Sequence, residues 1–141
     1  MKLYVTVGLP ASGKSTWSKN KARENKNLVI INRDSFRTML KGDYNMLPFG
    51  YSMEKLVTRL ERGAIVSAMD YGYDIIIDAT NFRLPTNWIS DICDKYGYDY
   101  ELVDFKHVDL KLCIQRDLQR ENSVGKEVIE RMYNKYIKND R

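Results

Sequence analysis

Cysteine is scarce in this chain. Cys93 and Cys113 are the only two in 141 residues. They lie far apart in segments with helical apolar spacing, which predicts reduced core thiols rather than a disulfide framework. Histidine is scarcer still, and His107, alone in a strand-to-helix connection without ligand-like neighbours, offers no metal site. No stretch approaches the eighteen or so uninterrupted apolar residues of a membrane span. The opening MKLYVTVG meets its glycine too soon for a secretion signal and reads as a first strand. No repeats, low-complexity tracts or linkers divide the sequence, so a single domain over 1–141 is expected, large enough to bury one core. Charge of one sign is also lacking: net charge is +4 and the pI is near 9. That excess is compatible with an anionic ligand or nucleic acid but does not establish either.

Apolar spacing orders the elements. Strands are predicted at 3–7, 28–31, 74–78 and 100–105. Helices alternate with them: Lys14 to about Asn25, a short one near Asp34, and a long one from Ser52 to the stop at Gly72. Met53, Leu56, Val57, Leu60, Ala64 and Ala68 would form the buried face of that long helix. Another helix, with Pro85 in its first turn, carries Trp88, Ile89, Ile92, Cys93 and Tyr96 up to Gly97. Asp109 can cap a helix reaching about Arg120, and after a break at 122–125 a last amphipathic helix bears Val128, Ile129, Met132, Tyr133, Tyr136 and Ile137. The stretch 41–51 reads as a loop. DIIID (74–78) is apolar on both faces, as inside a parallel sheet. The expected class is α/β, with helices on both faces of the sheet.

GLPASGKST, Gly8 to Thr16, fits the GxxxxGK[ST] phosphate-loop pattern and falls between a strand and a helix, as that motif requires. Gly8 and Gly13 would let backbone N–H groups turn around phosphate oxygens, with Ser12 in the same loop, and the helix presents its positive end to the anion. Lys14 can bridge the β- and γ-phosphates, the Ser15 hydroxyl can ligate Mg²⁺, and Thr16 can reach the α-phosphate of ATP or another nucleoside triphosphate. Asp78, at the carboxyl end of its strand, is the natural acid for that metal, though a helix cap is the plainer alternative; Thr80 and Asn81 would face the same crevice.

INRDSFR (31–37) reaches the same sheet edge. Asp34 and Arg37, three apart, share a helical face. They read either as a base with an anion grip for an acceptor or as a surface ion pair. Arg116 and Arg120 are one helical turn apart and read either as lid arginines that neutralise transferred charge or as a solvated helix face. Tyr44, Phe49 and Tyr51 could stack a base or simply pack.

The stretches GLPASGKSTW, INRDSFR, IIIDATN, QRDLQR and RMYNKY, in this order across nearly the whole chain, resemble the P-loop polynucleotide 5′-kinases, notably the kinase domain of phage polynucleotide kinase–phosphatase. The first motif alone is generic; its combination with INRD-x2-R and DATN is far more specific. The resemblance implies a P-loop kinase fold with a four-stranded parallel sheet in order 2-3-1-4 and a helical lid. It implies an ATP- and Mg²⁺-dependent kinase of 5′-hydroxyl ends on DNA or RNA, single-stranded or end-frayed. Lys14 and Ser15 would hold the donor and its metal, Asp34 would be the general base, and Arg37 would hold the phosphate on the 3′ side of the acceptor nucleotide. Asp78 would belong to the metal and active-site network, and Arg120, with Arg116 as the weaker match, would be the lid arginine. Ala79 separates Asp78 from Thr80, one residue more than in the family's Asp-Thr pair. The chain carries neither an Asp-x-Asp-Gly-Thr phosphatase motif nor a Lys-x-Asp-Gly nucleotidyl-transferase motif, so a separate phosphatase and ligase would act in trans. The implied setting is cytoplasmic, away from membranes, with a phage-encoded origin open. A small-molecule kinase acting on a nucleoside, sugar or antibiotic hydroxyl, and a non-catalytic nucleotide-binding module, are the competing readings.

Overall fold

The computed structural model describes residues 1–42, 50–84 and 86–139; Tyr44, Phe49 and Pro85 lie outside the described residues. Four short runs rich in β-branched residues become strands: β1 (Lys2–Val7), β2 (Leu28–Ile31), β3 (Asp74–Ile77) and β4 (Asp99–Asp104). All pair in parallel, in the order β2-β3-β1-β4. Side-chain alternation divides the core. Leu3, Val5, Val7, Ile31, Ile75 and Ile77 face one side, while Tyr4, Leu28 and Ile76 face the other. The central β3 reads as a solid apolar run because both of its faces are covered.

Six helices fill the crossovers among the described residues: α1 (Lys14–Glu24), α2 (Arg33–Lys41), α3 (Tyr51–Asp70), α4 (Thr86–Tyr96), α5 (Leu110–Leu118) and α6 (Lys126–Tyr136). α1 covers the Tyr4 face through Trp17 and Ala22. α3 and α4 cover the Leu3 face through Ile65, Met69, Ile89, Ile92 and Cys93. α5 and α6 form a helical pair over the phosphate loop, with Leu9 packed among Cys113, Ile129 and Ile137. Both cysteines are free and buried. Outer strand β4 is less covered, leaving Tyr100 and Leu102 44% and 49% exposed.

Three details differ from the sequence expectation. On α3 the buried row is Val57, Glu61, Ile65 and Met69, whereas Leu56 faces solvent. An apolar count skips Glu61, which is only 7% exposed because Arg33 of α2 meets it at 3.3 Å. α5 stops at Leu118, so Arg120 stands in the turn beyond the helix rather than one helical turn above Arg116. Asp109 is the N-cap residue of α5, yet its side chain makes no capping bond.

The end of β1 is tightly constrained. Gly8 donates its N–H to the Thr80 carbonyl at 3.2 Å. A Cβ placed on it would lie 2.7 Å from Cβ of Phe105 and 3.0 Å from Oγ of Ser12. This glycine is therefore required by the packing of the loop on the residue that follows β4, and its N–H serves the sheet rather than a phosphate. Gly8→Ala is expected to destabilise the fold by about 1–3 kcal/mol, the usual cost of overpacking. Thermal denaturation checks this, and an unchanged melting temperature would refute the close-packing account.

Candidate active site

Parallel strands deliver their carboxyl ends to one edge, where open α/β sheets bind ligands. The residues expected from sequence converge there: Ser12, Gly13, Lys14, Ser15, Thr16, Asp34, Arg37, Asp78, Thr80, Asn81, Arg116 and Arg120 all line one crevice. Gly8 does not line it, for the reason given above.

The loop turns through left-handed backbone at Ala11 (φ 62°) and Gly13 (φ 104°), bringing the chain round to start α1. Lys14, 7% exposed, donates to the Leu9 carbonyl and to Oγ of Ser12 at 3.2 Å. Burial lowers its pKa to about 8, against the opposing pull of Asp78 and Asp34. Ser15 donates its hydroxyl to Asp78 Oδ2 at 3.1 Å. Asn32 reaches the same oxygen at 3.5 Å while its own carbonyl oxygen caps α2 by accepting from the Ser35 N–H at 3.0 Å. Asp78 thus sits between the phosphate loop and the start of α2, and is not a helix cap. A hydroxyl beside a carboxylate suits Mg²⁺, which keeps most of its waters and takes its remaining oxygens from phosphate. Among the described residues no cluster of three or more acidic, histidine or cysteine side chains forms an all-protein metal cage.

The opposite wall is α2 packed on α3. Arg37 donates to both oxygens of Glu54, Nε at 2.9 Å and Nη2 at 2.5 Å, and to Asp34 at 2.5 Å. The Asp34–Arg37 ion pair therefore exists and also lines the crevice, so the two sequence readings are not exclusive. Burial works against the Arg37 charge, but the bonds to Glu54 and Asp34 more than offset it. Glu54 in turn is held below the usual carboxylate range, chiefly by its hydrogen bonds from Arg37. Arg33 ties the same helices together through Glu61, the Glu54 carbonyl at 3.1 Å and Thr58 at 2.7 Å. Burial raises the Glu61 pKa, with Arg33 pulling against it.

Asn81 lines the crevice and also has a structural role. Its amide donates to the Thr6 carbonyl at 2.8 Å and the Ile77 carbonyl at 3.0 Å, from a left-handed backbone (φ 52°). Its donors bind β1 to β3. Thr80 contributes its carbonyl to the Gly8 N–H.

Asp117 went unassigned in the sequence, hidden inside QRDLQR. It is 1% exposed and accepts from Arg120 (2.6 Å), Ser123 Oγ (2.7 Å), the Val124 N–H (3.0 Å) and the Gly125 N–H (2.9 Å). One carboxylate thereby closes the turn between α5 and α6 and fixes Arg120. Glu54 was missed as well, because its partner lies 17 positions away; a lone Glu on a helix gives no sequence signal.

A parallel sheet of this order, a glycine-turned phosphate loop and a strand-end aspartate define a P-loop kinase fold. The AAA domain family matches residues 3–138, and the chain belongs to it. A solved structure titled as the Pnkp1/Rnl/Hen1 RNA repair complex superposes with a TM-score of 0.77 at 28% identity, covering 99% of this chain and 46% of that one. A protein of Autographa californica nuclear polyhedrosis virus, described as a bifunctional polynucleotide kinase/RNA ligase, is 25% identical over 97% of this chain and 21% of its own length. The L-seryl-tRNA(Sec) kinase of Methanococcus maripaludis is 28% identical over 95% of this chain and 52% of its own. The chain thus spans between about a fifth and about half of these curated relatives. Among the described residues no helix is long and apolar enough to cross a membrane.

Two titrations follow from the geometry. Burial alone would raise the Asp117 pKa, but its four hydrogen bonds outweigh burial and lower it to about 2. Its stabilising contribution is therefore full above the unfolded value near 3.8 and is lost as pH falls toward 2. Asp117→Asn is expected to cost about 2 kcal/mol at neutral pH. Urea midpoints should show that difference shrinking below pH 4; a gap that does not change with pH would refute the assignment. For Lys14, triphosphate binding requires the ammonium form, so affinity should be level below about pH 8 and fall above it, toward tenfold per unit. Calorimetric titration with a non-hydrolysable ATP analogue checks this, and a flat profile to pH 9.5 would count against it.

Proposed function

We propose that this P-loop kinase is an ATP-dependent polynucleotide 5′-hydroxyl kinase acting in the repair of DNA or RNA ends. The observation that carries the reading is Arg37: a guanidinium prealigned by Glu54 and touching Asp34, lining the same crevice as the phosphate loop. A guanidinium has five N–H groups, and the bonds in place use three. One remains on each terminal nitrogen for a phosphate oxygen of the acceptor. A polynucleotide offers such a phosphate on the 3′ side of its first nucleotide. The names of the viral relative and of the repair-complex structure support the same acceptor class.

In this reading Lys14 exchanges the Leu9 carbonyl and Ser12 for oxygens of the β- and γ-phosphates. Ser15 and Asp78 would hold Mg²⁺, which supplies neutralisation of the phosphate charge. Asp34 accepts the proton of the 5′-hydroxyl as that oxygen bonds to the γ-phosphorus. The bond between phosphorus and the β–γ bridging oxygen breaks, and ADP leaves. Arg120, held by Asp117, and Arg116 face the donor side, where they offset charge on the transferred group. Donor preference, the phosphatase and ligase partners in trans, and a cytoplasmic setting belong to this proposal.

The relation to the seryl-tRNA kinase favours a second reading, in which the acceptor is a hydroxyl other than a nucleic-acid 5′ end. Labelled transfer from γ-³²P-ATP to 5′-hydroxyl oligonucleotides, a nucleoside 3′-phosphate, free nucleosides and seryl-tRNA separates the two. Label is expected on the oligonucleotides, and its absence from all of them overturns the main reading. Asp34→Ala should lower transfer by about 10²–10⁴ with nucleotide affinity nearly unchanged. Arg37→Ala should mainly raise the acceptor KM. Collapse of ATP binding in Asp34→Ala would argue against a base role.

A further inference from the structure

The wall of α3 that holds Arg33 and Arg37 continues past them. Glu54, Thr58 and Arg62 are spaced four apart and so lie on one helical face, about 6 Å per step. The first two hold arginines of α2. Arg62 does something else: its guanidinium carbon lies 4.7 Å from the ring centroid of Trp88, near the start of α4. Both side chains line the same crevice as Asp34 and Arg37. Unlike those two arginines, Arg62 makes no ion pair among the described residues. Trp88 packs partly on the core, and Ile65, Leu84 and Phe82 line the crevice beside it.

A crevice of this kind has three properties that a flat, polar-edged ring requires. Its floor is apolar, its side carries an indole, and over that indole lies a cation that, among the described residues, has no carboxylate within ion-pair distance and feels Glu61 only at longer range. Aromatic faces and arginine planes bind nucleobases by stacking and cation–π attraction with little sequence preference. Simple core packing explains Trp88 but not why a guanidinium should be held on its face within the acceptor crevice.

We propose that the Arg62–Trp88 pair is the seat of the acceptor's 5′-terminal nucleobase, which packs against it while Arg37 holds the adjoining phosphate and Asp34 meets the 5′-hydroxyl. This rests on the kinase reading given above. It predicts an enzyme that requires a base at the first nucleotide but tolerates any of the four.

The test compares two 5′-hydroxyl oligonucleotides that differ only in whether their first residue carries a base or is abasic. With the unaltered protein, the abasic substrate is expected to show a KM roughly five- to hundredfold higher. Trp88→Ala and Arg62→Gln should raise the KM of the intact substrate toward that of the abasic one and leave the abasic KM where it was. Trp88→Phe should recover most of the loss. Arg62→Gln leaves the Trp88 packing in place, so the test survives if Trp88→Ala fails to fold, which thermal denaturation reports. Equal use of both substrates by the unaltered protein overturns the proposal, as do equal losses on both substrates in Arg62→Gln. Absence of label from every oligonucleotide is a different failure. It removes the kinase reading itself, and this inference with it.

Discussion

A charge withdrawn from water must be met by another charge or by hydrogen bonds, and the walls of this crevice are built around that requirement. Glu61 sits inside the α3 face because Arg33 comes from α2 to meet it, and the same guanidinium takes the Glu54 carbonyl and Thr58. Asp117 is almost wholly buried because four donors converge on it. Lys14 is buried against a carbonyl and a hydroxyl of its own loop. For Glu61 and Asp117 the partners come from a different element or a different turn. Satisfying the charge therefore also fixes how two segments sit against each other. Such pairs contribute little net stability compared with an apolar core, but removing one partner is costly, on the order of 3–5 kcal/mol. They act as locators more than as adhesive.

The same economy separates the donor side from the acceptor side. The donor side is set by backbone: left-handed turns at Ala11 and Gly13, the close approach of Gly8 to Phe105, and the start of α1. The acceptor side is set by side chains, with Arg37 oriented by Glu54 and Asp34 oriented by Arg37. Prealignment matters because a guanidinium already fixed in place loses less freedom on binding a phosphate. The same guanidinium also holds Asp34 in the crevice wall.

How much of this was legible in the sequence follows from that division. Backbone-determined features leave local marks. GLPASGKST, the β-branched strands and the helix stops at Gly72 and Gly97 marked the alternating elements, the phosphate loop and the strand-end Asp78, while the sheet order came from the resemblance to P-loop kinases. Features made by partners distant in sequence leave none. Glu54 and Glu61 look like ordinary solvated positions of a helix, and an apolar count over α3 put Leu56 inside in their place. Asp117 was concealed by its setting among alternating charges, where nothing tells a buried acid from an exposed one. Asn81 lines the crevice as its place after β3 suggested, but its amide also bonds β1 to β3, because two strand-end carbonyls there need donors, and that partner pair leaves no mark in the sequence.

That asymmetry bears on how such a fold can change its acceptor. The phosphate loop cannot move without disturbing Phe105, the Thr80 carbonyl and the packing of Leu9 under α5 and α6. The acceptor wall is held by a few ion pairs between α2 and α3, and its outer residues carry no part of the sheet. If the proposed function holds, exchange of Arg37, Glu54, Arg62 or Trp88 changes the acceptor while the phosphate loop stays as it is. Two relatives described with different acceptors, a polynucleotide kinase/RNA ligase and an L-seryl-tRNA(Sec) kinase, match this chain at 25% and 28% identity, as such a division allows. The sheet and its phosphate loop fix the donor side, and under the proposed function the acceptor is set by a few side chains of α2, α3 and α4.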